Sequence, residues 1–251
     1  MDNSLIYRLN VWIAEQLKDV APNLYKYRDQ FGKSGEATFE MFWKAGLLAF
    51  AIGLLLGILL VVTRKGGIRQ NLVVYQIVNI VVNVFRSIPF IILLIFLIPL
   101  TRAIAGTAIG VKGAIVPLVF GAVPFYTRQV ESVLVGVDSG KIEAARSMGS
   151  GTWGIVFRVC LPEAVPGLIR VTTITALSLI GLTTMAGAVG AGGIGSFAIN
   201  YGQNLHHQDI VNVCVAVLLV TVSLLQGIGS FLAARTTNRR LFRPKLHGRR
   251  Q

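Results

Sequence analysis

The chain has 251 residues, of which 53% are hydrophobic and only 14% charged, whereas soluble globular domains carry about 25% charged residues. There are 24 Lys and Arg against 11 Asp and Glu, a net charge of +13, and the mean hydropathy is +0.66. This composition excludes an ordinary soluble domain and indicates a protein embedded in a lipid bilayer. The sequence shows no basic face interleaved with aromatic residues, so no nucleic-acid partner is expected.

Residues 1–36 form an N-terminal extension in which apolar residues recur at helical spacing. These are Leu5, Ile6, Leu9, Trp12, Ile13 and Leu17. The spacing predicts an amphipathic helix lying on membrane lipids, with docking on a partner protein as the alternative. No short apolar run with a basic start occurs in the first forty residues, so no cleavable signal is predicted.

A membrane span needs about 20 mostly apolar residues. Charge-poor stretches predict five transmembrane helices, at residues 45–63, about 86–100, 113–127, 171–189 and 210–234. Residues 72–85 are too few to span alone, and we expect them to be interfacial, packed within the bundle, or joined to the second span as one kinked helix. Gly53 and Gly57 have the G-x-x-x-G spacing that lets another helix approach closely, although glycine abundance alone would also explain them.

None of the five predicted spans contains an Asp or a Glu. Secondary transporters that are coupled to protons or cations are expected to carry carboxylates within the membrane. The sequence therefore argues against that class of transporter.

The C-terminal residues 236–251 form a basic tail directly after the last apolar stretch. Seven bases and no acid lie between residue 235 and the end. Such a tail is expected on the cytoplasmic side of the membrane. With five spans the N-terminus then lies outside, and sixteen of the 24 bases fall inside. The predicted organisation is the extension 1–36, a transmembrane domain 37–235 and the tail.

Residues 128–170 form the most charged internal stretch, a polar and helix-rich loop. It contains E-A-A at 143–145, Gly149 three residues later, and V-C-L-P at 159–162. Small alanine side chains allow close docking, and a glycine can take the left-handed conformation that ends a helix. Pro162 suits the first turn of the following helix. The loop therefore predicts two short helices joined at Gly149, with an interfacial loop that binds no partner as the alternative.

This spacing resembles the signature of the inner-membrane permeases of ABC-type importers, which is E-A-A, three residues, G, nine residues, I-x-L-P. Val159 stands in the place of the isoleucine. The resemblance implies that residues 138–162 form coupling helices that insert into a cleft on a separate ATP-hydrolysing subunit. It implies that the docking surface consists of Glu143, Ala144, Ala145 and Gly149, and that Leu161 with Pro162 orients the return helix.

Four further stretches look like those of methionine-importer permeases. They are F-R-S-I-P-F at 85–90, A-I-V-P-L at 114–118, L-P-E-A-V-P-G-L at 161–168 and A-G-A-V-G-A-G-G-I-G at 186–195. This resemblance covers roughly residues 40–235. It implies an all-α membrane protein with the type I ABC importer permease fold, with five transmembrane helices and coupling helices between the third and fourth spans.

The same resemblance implies partners and a substrate. Two copies of the chain would flank a central path and work with a dimeric ABC ATPase and an external substrate-binding (lipo)protein in the inner membrane. The substrate would be methionine, in its D- and L-forms, carried by alternating access. A permease of the same superfamily for another amino acid or small polar solute is the alternative. ATP and Mg would be held by the ATPase, and this chain would bind no cofactor.

Two glycine-rich segments resemble nucleotide-binding motifs only superficially. Residues 190–195 satisfy G-x-G-x-x-G, but that fingerprint needs a strand before it, and here an apolar span precedes it. A turn with close helix packing is the favoured interpretation. Residues 136–141 lack the spacing of a phosphate loop, and Ile142 replaces its Ser or Thr. The sequence therefore predicts a transport subunit with no ATP site of its own, not an enzyme.

His206, His207 and Asp209 could hold a metal ion, but adjacent histidines do not easily face one ion, and a solvated external loop is favoured. Cys160 and Cys214 lie far apart and indicate neither a disulfide nor a metal site. In the fourth span Thr184 and Met185 are predicted to line or gate the path, because an apolar constriction can exclude water. Helix packing is the alternative, favoured for Thr184 and its neighbour Thr183.

Overall fold

The computed structural model describes residues 4–241, with side chains up to residue 237. Over this range the chain is helical and contains no strand. Short π-helical turns follow α9 and α11, and the segment Gly187–Ala191 after α10 contains a kink at Val189 and Gly190. The helices are α1 (Leu5–Gln16), α2 (Pro22–Lys26), α3 (Arg28–Thr63), α4 (Leu72–Ser87), α5 (Phe90–Phe96), α6 (Ile98–Ala105), α7 (Gly110–Val135), α8 (Ser139–Ser147), α9 (Thr152–Ile155), α10 (Leu161–Ala186), α11 (Gly193–Phe197) and α12 (Gln208–Leu241).

Four helical segments among the described residues are long and apolar enough to cross a membrane. They are Arg28–Thr63, Gly110–Val135, Thr152–Ala191 and Gln208–Thr237. Helices α4 and α5 together pass the same test but are bent by 106°. Counted as one broken span, this pair brings the number to five, as the sequence predicts.

The predicted extent of the second span, about 86–100, is wrong. The structure divides it among the end of α4, all of α5 and part of α6. Pro89 has no N–H and disfavours the helical conformation of the residue before it, and Ile88 is accordingly extended, with φ −84° and ψ 125°. The proline therefore produces a sharp bend where the sequence predicts at most a kink.

The other spans extend well beyond their charge-free cores. At 1.5 Å per residue, the 36 residues of α3 measure about 54 Å, whereas the hydrocarbon core of a bilayer is about 30 Å thick. Charged residues at the helix ends therefore lie outside the hydrocarbon and do not end the helix. The domain boundary predicted between residues 36 and 37 falls inside α3.

Helix α7 continues past residue 127, where the predicted third span ends, and its last part includes Glu131. The Arg128 Nη1 atom donates to Glu131 Oε2 at 2.6 Å, and the two side chains are only 19% and 12% exposed. Arg128 also donates to Asn79 and to Asn83 on α4. The positive charge of Arg128 therefore compensates the negative charge of Glu131, and the hydrogen bonds of Arg128 connect α7 to α4.

Helices α3 and α7 pack closely through the two glycines of the G-x-x-x-G pair. A Cβ atom on Gly57 would lie 2.5 Å from Val130 Cγ1, and one on Gly53 would lie 2.8 Å from Tyr126 Cδ1. Neither position has room for a side chain. The close-approach interpretation of this spacing is therefore confirmed.

The N-terminal extension packs against the rest of the chain. Helix α1 lies on α3, and a Cβ atom on Gly32 would come within 2.7 Å of Tyr7 Cδ2. Asn10 is buried at this contact, whereas Leu5, Leu9 and Trp12 remain exposed. The extension is thus part of the fold, and lipid binding by its exposed apolar face stays a prediction.

Candidate functional site

The predicted coupling segment begins with α8. Asp138 caps the helix, with its Oδ1 atom accepting from the backbone N–H of Gly140 at 2.9 Å. Residues 136–141, which resemble a phosphate loop, are therefore the turn between α7 and α8 and the first turn of α8. At the other end Gly149 has φ +79°, and its N–H donates to the Arg146 carbonyl at 2.9 Å. The left-handed helix end predicted at Gly149 is confirmed.

The residues of the E-A-A triplet do not share one environment. Glu143 and Ala144 are exposed, as is Gly149. Ala145 is buried in a core cluster with Ile155, Val156, Cys160 and residues of α3 and α7. Ala145 therefore anchors α8 on the helix bundle and does not contribute to the exposed surface, contrary to the docking surface that the resemblance implies.

The second coupling helix is the beginning of one long helical run, Thr152–Ala191. Leu161 is half-buried and Pro162 exposed in the first turn of α10. The run remains helical before the proline because residues 156–160 form a π turn, in which the Leu161 N–H donates to the Val156 carbonyl. The second coupling helix and the fourth span are therefore one continuous helical element.

Two side-chain contacts hold α8 in place. The Lys141 Nζ atom lies 2.6 Å from Glu163 Oε1 on α10, and Arg146 Nη2 donates to the carbonyl of Ile68, between α3 and α4, at 3.1 Å. Sequence reasoning found neither contact, because the partners are distant along the chain. These contacts connect α8 to α10 and to the segment between α3 and α4.

An apolar patch lies next to α8, and the sequence motif did not predict it. It consists of Met148, Trp153 and Phe157, which are all exposed. The Trp153 and Phe157 rings are stacked with centroids 5.9 Å apart. Together with Gly149 and Arg158 they line an open cavity of about 610 Å³. The sequence did contain a signal for this patch, because Trp153 and Phe157 are four residues apart and would lie on the same face of a helix.

The predicted gate residues lie at the other end of α10. Leu161 and Met185 are separated by 24 residues, or about 36 Å along the helix. Met185 is exposed, and the Thr184 hydroxyl donates to the Ile180 carbonyl at 3.1 Å. Thr183 is buried and donates to the same carbonyl, so it packs in the core. The gate role of Met185 and Thr184 stays a prediction.

The glycine-rich segment after α10 is a tight turn. Gly190, Gly192 and Gly193 have φ of +93°, +84° and +82°. A Cβ atom on Gly187 would lie 2.7 Å from the backbone N of Ser196. A helix precedes the segment where a dinucleotide fingerprint requires a strand. The interpretation as a turn with close packing is confirmed.

Asp209 is not directed at a metal site. Its two carboxylate oxygens accept from the backbone N–H and the side-chain amide of Asn23, at 3.0 and 3.1 Å. His207 Nδ1 lies 3.1 Å from the Tyr201 carbonyl oxygen. Among the described residues no three His, Cys, Asp or Glu side chains form a group that could hold a metal.

Taken together, the helices that can cross a membrane and the coupling segment at one end of α10 define a membrane-embedded transport component. The family described as "Binding-protein-dependent transport system inner membrane component" matches residues 41–243. The chain belongs to this family of inner-membrane permeases.

Curated relatives have consistent descriptions. The "Probable D-methionine transport system permease protein MetI" of Vibrio cholerae is 43% identical over 202 residues, covering 80% of this chain and 90% of that protein. The "Methionine import system permease protein MetP" of Bacillus subtilis is 46% identical over 174 residues, covering 69% and 78%. The "D-methionine transport system permease protein MetI" of Escherichia coli is 51% identical over 150 residues, covering 60% and 69%.

Solved structures share the fold. A chain of the structure described as "Inward facing conformations of the MetNI methionine ABC transporter" has a TM-score of 0.80 at 44% identity, covering 82% of this chain and 96% of that one. A chain of "an amino acid ABC transporter with histidines" has a TM-score of 0.70 at 15% identity, covering 86% and 98%. The fold is therefore that of a type I ABC importer permease, as the sequence predicts.

Proposed function

We propose that this chain is the membrane-spanning subunit of an ATP-driven importer that carries methionine, in its D- and L-forms, across the inner membrane. The observation that carries the proposal is the coupling segment, in which Glu143, Ala144 and Gly149 are exposed and the helical run that follows continues into α10. The substrate follows from the relatives, which are described as methionine or D-methionine transport permeases.

The proposed partners are a dimeric ABC ATPase, a second copy of this chain and an external substrate-binding (lipo)protein. The ATPase surface is supported by the exposed Glu143 and Ala144 and by the apolar patch of Met148, Trp153 and Phe157. Exposed aromatic residues bordering a concavity are typical anchors of protein interfaces. ATP and Mg are bound by the ATPase, and this chain supplies no ATP site or cofactor site.

The proposed mechanism is alternating access. Closure of the ATPase pair displaces α8, and the contacts of Lys141 with Glu163 and of Arg146 with Ile68 transmit this displacement to α10 and to the segment between α3 and α4. Because α10 is one helical element, its far end at Thr184 and Met185 moves with it as a rigid body. The side on which the path is open then changes.

The proposed orientation has the N-terminus outside and the C-terminus in the cytoplasm. The basic tail supports it, since cytoplasmic segments carry an excess of Lys and Arg. Most of that tail lies outside the described residues.

Transport by the assembled importer tests the substrate. The chain and its co-purifying ATPase are placed in vesicles with the external binding protein, and labelled L-methionine uptake is measured with and without ATP. D-methionine and a panel of other amino acids serve as competitors. We expect ATP-dependent uptake that both forms of methionine suppress. Uptake of another solute would overturn the substrate but leave the coupling mechanism, and absence of a co-purifying ATPase would overturn both.

A matched pair of tryptophan substitutions tests the docking surface. Trp153 is 65% exposed beside α8, and Trp43 is 60% exposed on α3. Trp153→Ala is expected to weaken ATPase association by on the order of 2 kcal/mol, as at interface hot spots. Trp43→Ala is expected to leave association unchanged. Affinity is measured by titrating detergent-solubilised chain with the ATPase, and equal affinities for both variants would contradict the assigned surface.

A further inference from the structure

The part of the chain that precedes the family match makes specific contacts at the gate end of α10. The match begins at residue 41, whereas the contacts come from residues 23–38. At the start of this stretch, the backbone N–H and side-chain amide of Asn23 both donate to the carboxylate of Asp209, the second residue of α12. This contact joins the extension to the last span.

A row of aromatic rings continues from this point. Tyr27 lies 4.8 Å from Tyr201, Tyr201 lies 5.0 Å from Phe197, and Phe197 lies 5.4 Å from Phe31, measured between ring centroids. Phe31 and Phe197 are completely or almost completely buried. Pairs at these separations contribute more than their buried area alone. The row fixes the short helical segment of residues 193–203 against the beginning of α3.

Farther along α3, Thr38 accepts a hydrogen bond that fixes the start of α11. The Ile194 N–H donates to Thr38 Oγ1 at 2.8 Å, and a Cβ atom on the adjacent Gly193 would meet the same hydroxyl oxygen at 2.6 Å. The backbone of Gly195 in turn lies directly against the carbonyl of Thr184, leaving no space for a Cβ atom. The contacts therefore run without a gap from the extension to the gate residues.

We propose that residues 4–40 form an outer brace that holds residues 187–203, and through them the Thr184–Met185 end of α10, in the outward-closed position. The proposal rests on the function proposed above. Three glycines with positive φ give the braced segment a backbone conformation that other residues rarely adopt, and the contacts from residues 23–38 fix its position. Asn23, Tyr27, Phe31 and Thr38 act as positioning residues.

Weakening the brace should favour outward opening without the binding protein. Because outward opening and closure of the ATPase pair are parts of one conformational change, ATP hydrolysis in the absence of the binding protein should rise as well. Asp209→Ala removes two hydrogen bonds to a charged acceptor and no aromatic contact.

The experiment measures the accessibility of position 185. Cys160 and Cys214 are replaced by Ala, Met185→Cys supplies the probe thiol, and a membrane-impermeant maleimide is added from outside to cells that express the complex. In this background we expect Asp209→Ala to increase the labelling rate about tenfold, which corresponds to about 1.4 kcal/mol. Basal ATP hydrolysis by the purified complex is expected to rise in parallel.

Tyr7→Phe is the matched control within the extension. It removes the exposed hydrogen bond of Tyr7 to Asp29 and leaves the contacts with residues 187–203 in place, so labelling and hydrolysis should match the parent. If Asp209→Ala lowers thermal stability but leaves both readouts unchanged, the brace is merely structural and the proposal is overturned. If Asp209→Ala fails to assemble, Asn23→Ala removes only the amide donor and must change labelling in the same direction.

Failure of the brace can be distinguished from failure of the proposed function. Absence of ATP-driven methionine uptake by the unaltered chain would overturn the importer function. The ratio of maleimide labelling between Asp209→Ala and its parent would still decide whether the extension holds position 185 closed.

Discussion

At the scale of single residues, Gly149 sets the angle between α8 and the helix that follows. Its φ of +79° lies in the left-handed region, yet a Cβ atom there would meet nothing within 4 Å. Gly151 also has open space around its Cβ position, but its φ is −70°. The two glycines therefore differ in backbone strain and not in steric room.

Gly149→Ala is expected to destabilise the coupling segment by about 1–2 kcal/mol, the cost of a side chain in the left-handed conformation. Gly151→Ala is expected to be neutral or to stabilise by up to about 1 kcal/mol, because it restricts only the unfolded chain. Thermal unfolding in detergent measures stability, and co-purification measures ATPase binding. Equal behaviour of the two variants would show that the conformation of Gly149 is not needed.

At the scale of helices, Arg128 and Glu131 form an ion pair within α7, and their hydrogen bonds with polar side chains of α4 attach that helix to α7. Both side chains are largely buried, and the Tyr75 hydroxyl of α4 also lies 3.5 Å from Glu131 Oε1. Breaking a buried pair leaves an uncompensated charge, whereas breaking an exposed pair has little effect on stability. The exposed pair of Lys44 and Glu40, at 2.5 Å, offers the comparison.

Arg128→Met is expected to lower the free energy of unfolding by about 3–5 kcal/mol, because Glu131 is left buried and unpaired. Lys44→Met should cost at most about 1 kcal/mol. The double substitution Arg128→Met with Glu131→Met should recover much of the loss, since no buried charge then remains. Denaturation in mixed micelles measures all three, and a loss for Arg128→Met no larger than for Lys44→Met would show that the pair is well solvated.

At the scale of the whole molecule, the number of crossings depends on the bent pair of α4 and α5. If the pair crosses the membrane, three crossings separate the N-terminus from α8, and these two regions lie on opposite sides. If the pair re-enters on the side from which it came, only two crossings separate them and they lie on the same side. The proposed orientation requires the first arrangement.

Leu5 and Met148 test this topology, because they are 77% and 78% exposed on the two regions. In a chain whose buried Cys160 and Cys214 are replaced by Ala, an impermeant maleimide should label Leu5→Cys in intact cells. Met148→Cys should be labelled only after the membrane is permeabilised. Labelling of both thiols from one side would instead assign α4 and α5 to a re-entrant segment.

The sequence by itself determined the class of the chain and the local signals. Long apolar stretches require helices, because a lipid-exposed backbone must satisfy its own hydrogen bonds. The G-x-x-x-G pair at Gly53 and Gly57 and the helix end at Gly149 follow from local geometry. The coupling motif could also be identified from the sequence, because its residues lie within a single stretch of the chain.

Only the tertiary structure decided how distant residues meet. Arg128 ends the charge-free core of the third span in the sequence, but polar groups of α4 accept hydrogen bonds from Arg128, and α7 continues to Val135. Asp209 was a candidate metal ligand in the sequence, but in the structure its carboxylate accepts hydrogen bonds from Asn23, which is 186 residues away. Ala144 and Ala145 are the same residue type and adjacent in the chain, yet Ala145 is buried and Ala144 is exposed. Such partners depend on which helices pack together, and helix packing in a membrane is set by shape complementarity along the entire contact.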